Sequence, residues 1–415
     1  MNRNSEPELL LRNARLPGVD KLADVLLNRG RVAATGTGLR TDGRDIDVEG
    51  RLVSPAFVEP HFHLDKCWTG SASLELRTLE DYIAAESTRK RAFTVEDVSA
   101  RAGRAIELLV EHGVTAIRTN VDVDTASELR GLEGVLEAGR RYAHVVDLQI
   151  VAFPQQGIVQ DPGVEELLRE ALRIGAHAIG GHPQLEICDE DSRAHIRTVF
   201  EIAQEFDCEI DMHCDETDDP GSTFAHDVAV ETIRRGRHGK VALGHVCSLA
   251  LQNPYYADKV IRLLARAGIS IIANPTSNLL FRTLLDPEPR WRGLTRVREL
   301  LDAGVLVCFG QETIGSTYIV TLRHPDPLLT AQILAHGVGL KSVDDMDALW
   351  RMMTVDAARA IGVAGYGIEP GSRGDLVVLD AESVNDAIAT IAPRRFVIRA
   401  GRIVAETRSE TTLSL

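Results

Sequence analysis

Apolar residues follow two rhythms along this chain. One has helical spacing. After Thr94, a suitable cap, Val98, Ala102, Ile106, Leu109 and Val110 recur three or four residues apart until Gly113. The other is a short unbroken run, and Val114-Thr115-Ala116-Ile117 follows at once. The alternation then returns. Strand-like runs are predicted at 52–58, 114–117, 145–153, 177–179, 209–212, 241–243, 269–273 and 305–309. Helical segments are predicted at 163–174, 191–206, 224–236, 255–267 and 295–303. Unbroken Val/Ile/Leu-rich runs are what parallel strands covered on both faces require. Eight such units predict an α/β chain folded as a (β/α)8 TIM barrel.

The two ends have a different texture. Short runs at 9–11 and 32–34 are broken by Gly36, Gly38, Gly43 and Gly50. Similar runs recur at 376–379, 396–398 and 403–404, with Arg399-Ala400-Gly401-Arg402 as a hairpin turn between the last two. Residues 1–54 and 364–415 are therefore expected to form one small β-sandwich domain, and 55–363 the barrel.

Composition narrows the function. Lys and Arg total 46 against 61 acids, a net charge of −15, which argues against nucleic acid or an anionic membrane surface as partner. No apolar run approaches the length that spans a bilayer. The first residues lack the apolar core of a signal peptide, and the six cysteines (67, 188, 208, 214, 247, 308) show no CxxC pairing. A cytoplasmic protein with reduced thiols is expected.

Candidate chemistry sits where the predicted strands end. His61-Phe62-His63 closes the first strand. Residues i and i+2 of a strand point the same way, so two imidazoles there can grip one metal ion. His213 ends the fifth strand and His245 the sixth, at the end where barrel enzymes keep their active sites. Asp65 is a candidate partner for an imidazole. Glu216, three residues after His213, lies where the chain can fold back and move a proton between water and substrate. Asp215, Asp218 and Asp219 read as solvated loop acids. Glu312, the acid after the eighth strand, is the candidate for an oxygen ligand or base. Histidines 112, 144, 177, 195, 226, 238, 324 and 336, mostly in helices or loops, read as structural.

These stretches resemble the amidohydrolase superfamily, in the branch of bacterial cytosine deaminase and N-isopropylammelide amidohydrolase. The resemblance rests on Val58-Glu59-Pro60-His61-Phe62-His63-Leu64-Asp65, Ile150-Val151-Ala152-Phe153-Pro154-Gln155 and His213-Cys214-Asp215-Glu216. It continues through Ala273-Asn274-Pro275, Arg292-Gly293-Leu294-Thr295-Arg296-Val297, Val307-Cys308-Phe309-Gly310 and Tyr366-Gly367-Ile368. It implies a distorted barrel, a sandwich built from both termini, one divalent metal ion (zinc or iron) and a homo-oligomer. It further implies His61, His63 and His213 as metal ligands. Glu216 would be the proton shuttle, His245 would orient the attacking water, and Gln155 would contact the ring amide of a small N-heterocyclic substrate. The fourth strand ends in Gly180-Gly181-His182-Pro183, without the bridging lysine of binuclear relatives, which favours a single metal.

Two departures bear on the substrate. Where cytosine deaminase carries two consecutive aspartates after strand eight, this chain has Glu312-Thr313, and Ser316-Thr317-Tyr318 replaces the family's Asp-Pro-Trp. Glu312 keeps the carboxylate of a fourth ligand and base, displaced by about 1.5 Å along its extra methylene. Thr313 removes one charged substrate contact. The expectation is a deaminase of a small N-heterocycle that is not specific for cytosine. A ring-opening cyclic amidohydrolase and a non-catalytic ligand-binding descendant are the alternatives.

Overall fold

The computed structural model describes residues 8–70, 79–280, 293–317, 322–408 and 412–414. Arg292 and Tyr318 of the motifs above lie outside them. The chain opens with β1 (Leu9–Leu16), β2 (Val19–Asn28), β3 (Arg31–Gly36), β4 (Arg44–Asp47) and β5 (Leu52–Pro55). Eight strands follow: β6 (Phe57–Phe62), β7 (Val114–Asp122), β8 (Asp147–Phe153), β9 (Ala178–Gly181), β10 (Glu209–Cys214), β11 (Val241–His245), β12 (Ser270–Ala273) and β13 (Val307–Phe309). The chain closes with β14 (Leu376–Leu379), β15 (Arg394–Arg399) and β16 (Arg402–Glu406).

β6 to β13 form one parallel sheet in sequence order, with helices such as Val95–Glu111, Val164–Ile174, Asp189–Glu205 and Pro254–Ala267 between the strands. This is the predicted barrel. Thr94 caps the helix Val95–Glu111, accepting from the Asp97 N–H at 3.2 Å. The N-terminal end of the barrel is closed by apolar packing. Val58, Ala116, Ala242, Ile272 and Cys308 meet Ala357, Ala358 and Ile361 there. The other end is left for chemistry.

The remaining strands form a second, mostly antiparallel sheet in the order β16-β15-β14-β5-β1-β2-β3, with β4 on β1. Both termini thus meet in one layer, over a core that includes Leu11, Val25, Leu27, Val53, Leu376, Val378 and Ile398. The run 52–58 is not one strand. Residues 52–55 pair with β14, whereas residues 57–62 pair with β7, and the chain changes sheet at Ala56. All of its residues are apolar or buried, so periodicity carried no mark of the change. β7 runs five residues beyond the predicted 114–117, because its polar residues Arg118, Thr119, Asn120 and Asp122 are themselves buried. The predicted helix 295–303 contracts to Val297–Asp302. The six cysteines are free. Among the described residues, no helix is long and apolar enough to cross a membrane.

Candidate active site

Alternation along β6 directs the His61 and His63 rings to the same end of the barrel, with centroids 5.6 Å apart. β10 brings His213 to them, and His213 Nε2 stands 2.9 Å from His63 Nε2. Glu312 completes the group. Its Oε1 is 3.3 Å from His63 Nε2, and its Oε2 is 3.5 Å from His61 Nε2. The donor atoms of His61, His63, His213 and Glu312 all lie within 4.8 Å of one another, and all four residues are buried.

Glu312 reaches the histidines because the loop after β13 closes the barrel. β6 and β13 do not pair; instead the Glu312 N–H donates to His61 O (3.1 Å) and the His63 N–H to Glu312 O (2.7 Å). Glu312 adopts φ +72°, a left-handed conformation that a non-glycine residue holds only when its surroundings impose it. Glu59 anchors the same seam: its carboxylate accepts from the His61 N–H (3.0 Å), the Gln311 N–H (3.2 Å) and Gln311 Nε2 (2.8 Å). Gly310 permits the close approach, since a Cβ there would stand 2.7 Å from His61 Cβ.

The donor set fits a divalent cation. Ligands about 2.1 Å from a tetrahedral ion lie roughly 3.4 Å from one another, close to the contacts Glu312 makes. His61 Nδ1 and Nε2 are buried without a hydrogen-bond partner, an arrangement that costs free energy unless something else meets them. Burial pushes His63 down to about 4, with the Lys66 cation adding to it; burial and the surrounding imidazoles push His213 well below its ordinary value. Neutral imidazoles keep the lone pairs a metal needs. On His61, burial is outweighed by the Glu312 carboxylate, and its basicity is raised.

Glu216 stands beside this group. Asp215, at φ +52°, turns the chain back over the mouth. Asp215 is not the solvated acid expected. It is buried and accepts from Ser222 Oγ (2.7 Å) and from the N–H groups of Phe224 and Ala225 (2.9 Å each). A turn that must hold Glu216 needs such an anchor. Glu216 Oε1 lies 3.5 Å from His245 Nδ1, and its Oε2 lies 3.4 Å from His182 Nε2. Burial lifts its carboxyl to about 7; His245 opposes the shift and Glu312 adds to it.

His245 ends β11, and the chain reverses through two successive positive-φ residues, His245 (+70°) and Val246 (+49°). Its Nε2 is 3.5 Å from Glu312 Oε2, and its ring also meets the side-chain amides of Asn274 and Asn278. Thr313 turns its hydroxyl to His63 O at 3.4 Å, with Cys67 Sγ 3.7 Å away. Among the described residues Asp65 makes no hydrogen bond to an imidazole, contrary to the expectation. Its Oδ2 accepts from the Asp122 N–H at the end of β7 (3.1 Å).

Gln155, after β8, accepts from Lys66 Nζ. Lys66 belongs to a buried network that sequence reasoning missed. It pairs with Asp122 at 2.8 Å, Asp122 pairs with Lys90 at 2.7 Å, and Lys90 also bonds Asp124. Lys66 is 1% exposed and Lys90 0%. A lysine four residues beyond the site strand was the one available signal.

Comparisons place this geometry among known proteins. The chain superposes on the crystal structure of 5-methylcytosine deaminase from Klebsiella pneumoniae liganded with 5-fluorocytosine. Their identity is 34%, the TM-score is 0.93, and 98% of this chain and 99% of that one are covered. It is 29% identical over 412 residues to the N-isopropylammelide isopropyl amidohydrolase of Pseudomonas sp. (strain ADP), covering 96% of this chain and 97% of that protein. It is 29% identical over 364 residues to the pterin deaminase of Rhizobium rhizogenes, covering 86% and 82%. Residues 75–405 match the sequence profile of the Amidohydrolase family. With its barrel, its strand-end histidines and this match over most of its length, the chain belongs to the amidohydrolase family.

Proposed function

We propose that this protein hydrolyses a ring carbon–nitrogen bond of a small N-heterocycle and releases an amino or alkylamino group while the ring stays closed. The observation that carries the reading is the convergence of His61, His63, His213 and Glu312 on one buried point, with the proton-bearing Glu216 beside it. The three relatives above, named for acting on a cytosine, an ammelide and a pterin, support a heterocyclic substrate.

In this reading the three histidines and Glu312 would hold one divalent ion, zinc or iron. Bound there, the ion would supply Lewis acidity, making water more acidic and the carbon under attack more electrophilic. Glu312 accepts one proton of the attacking water and passes it to the departing amine; as the C–N bond breaks, the remaining hydroxyl proton returns to Glu216. Glu216, which keeps its proton up to about 7, delivers it to the ring nitrogen. His245 faces both carboxylates and orients the water between them. Gln155 contacts the ring amide. Thr313 adds no charge to the pocket, so a strongly donating amino-pyrimidine such as cytosine is a poor substrate and a bulkier or less donating ring is preferred.

The test is a panel of amino- and alkylamino-substituted pyrimidines, triazines and pterins, incubated with metal-loaded protein. Release of ammonia or alkylamine with an intact ring is expected. Ring-opened products alone would replace this reading with a cyclic amidohydrolase. Turnover of cytosine at or above about 10⁵ M⁻¹s⁻¹ would show that the loss of charge at Thr313 leaves specificity unchanged.

A further inference from the structure

Glu216 stands on a loop past the end of β10, and a side chain with several rotatable bonds must still deliver its proton to one place. One of the two imidazoles that hold it has so far been given no part. His182 directly follows β9 and is fully buried. Its Nε2 lies 3.4 Å from Glu216 Oε2, while His245 takes Oε1. Its Nδ1 lies 3.4 Å from the backbone oxygen of Gln155.

His182 is itself fixed. Its backbone N–H donates to His195 Nε2 at 3.0 Å, and His195 Nδ1 meets Glu186 Oε1 at 2.7 Å. Glu186 also accepts from the N–H groups of Ile158 (2.6 Å), Val159 (3.1 Å) and Gln160 (3.1 Å). The loop that carries Gln155 and the end of β9 are therefore tied together behind the His182 ring. Phe153 and His213 pack against that ring, with centroids 5.6 and 5.5 Å away.

We infer that His182 is a positioning residue, which holds the Glu216 carboxyl through Oε2 so that the proton is presented to the substrate in one orientation. This rests on Glu216 being the shuttle. The Gln155 carbonyl only accepts, so the neutral ring donates from Nδ1 and its Nε2 is left to accept from the acid form of Glu216, the form that the shuttle uses. Two clamps, one on each oxygen, leave the carboxyl little freedom to rotate. Release of one clamp lets it turn by an ångström or more, a displacement that costs roughly 100-fold in rate.

Side-chain length separates this role from mere packing. His182→Asn keeps an amide near Nδ1, within reach of the Gln155 carbonyl, and ends short of Glu216. His182→Gln places a polar atom near Nε2. The kcat and KM of both are measured on the best substrate of the panel above, beside Glu216→Gln and the double variant His182→Asn/Glu216→Gln, with metal content and thermal unfolding alongside. His182→Asn is expected to lower kcat about 100-fold with KM within about threefold, and His182→Gln to recover at least about tenfold of that. In the Glu216→Gln background, His182→Asn is expected to lower kcat by less than about twofold, because the two act through one group. Equal losses in the Asn and Gln variants, or losses that multiply in the double variant, would overturn the inference. So would full activity of His182→Asn beside an inactive Glu216→Gln. Full activity of Glu216→Gln would instead bring down the shuttle reading on which this one rests.

Discussion

Glu312→Asp probes how the metal set is built. The change keeps the charge and removes one methylene, drawing the carboxylate back by about 1.5 Å. Oε1 now stands 3.3 Å from His63 Nε2, and Oε2 stands 3.5 Å from His61 Nε2 and from His245 Nε2. Donors that share a tetrahedral ion lie roughly 3.4 Å apart; withdrawn, these oxygens would stand about 5 Å from the imidazoles, too far to share one. The backbone is not free to follow, because the N–H and C=O of Glu312 are bonded to His61 and His63 at 3.1 and 2.7 Å. A misplacement of about 1 Å costs roughly 100-fold in rate, and a disturbed ligand sphere roughly 10- to 100-fold in metal affinity. The aspartate variant should therefore bind zinc at least about tenfold more weakly and turn over at least about 100-fold more slowly, although aspartate is the residue expected here in cytosine deaminases. Calorimetric titration of zinc into chelator-stripped protein measures the first effect, and steady-state kinetics the second. Wild-type affinity and turnover in Glu312→Asp would refute the argument, because the seam would then have moved to compensate.

Other variants separate the remaining roles. Glu216→Gln should retain the metal and lose about 10²-fold or more in kcat, the scale of lost acid–base help. Because burial lifts the Glu216 carboxyl to about 7, its acid form is present below that value; kcat should fall as pH rises through about 7, and a profile that rises there would exclude Glu216 as the acid. His61→Ala should lose the ion, read by elemental analysis, while circular dichroism and cooperative unfolding persist, since the ligand sits at the mouth and not in the packed layers. Lys90→Met leaves Asp124 buried without its cation and Asp122 with Lys66 alone, and should cost about 3–5 kcal/mol in urea unfolding at neutral pH. Asp122 is held down to about 2 by the Lys66 and Lys90 cations, against the opposing effect of burial. A carboxylate with a lowered folded pKa contributes its stability above its ordinary value of about 4 and loses it below. The gap between wild type and Lys90→Met should therefore narrow as pH falls from about 4 towards 2.

The sequence by itself determined the architecture of this protein and which histidines meet at the barrel mouth. Parallel strands buried on both faces have to be continuous apolar runs, and amphipathic helices have to repeat near 3.6 residues, so both could be read locally. Placement at strand ends made His61, His63, His213 and His245 candidates for one mouth, because a barrel sends every strand end to the same place. What only the tertiary structure decided depends on partners far apart in the chain. Whether residues 52–55 belong to the barrel or to the terminal sheet is set by pairing with β14, more than 300 residues away, and no local rhythm records that choice. The polar half of β7 reads as loop until Lys66, Lys90 and Glu209 arrive to satisfy it. Asp215 reads as a solvated acid until the start of the helix Phe224–Arg234 folds onto it. His182 reads only as a residue beside the missing lysine, able to approach the site, until Glu216 returns over the mouth and gives it a partner. A buried polar side chain is stable only with its partner in place, so its role becomes legible when the fold has supplied that partner.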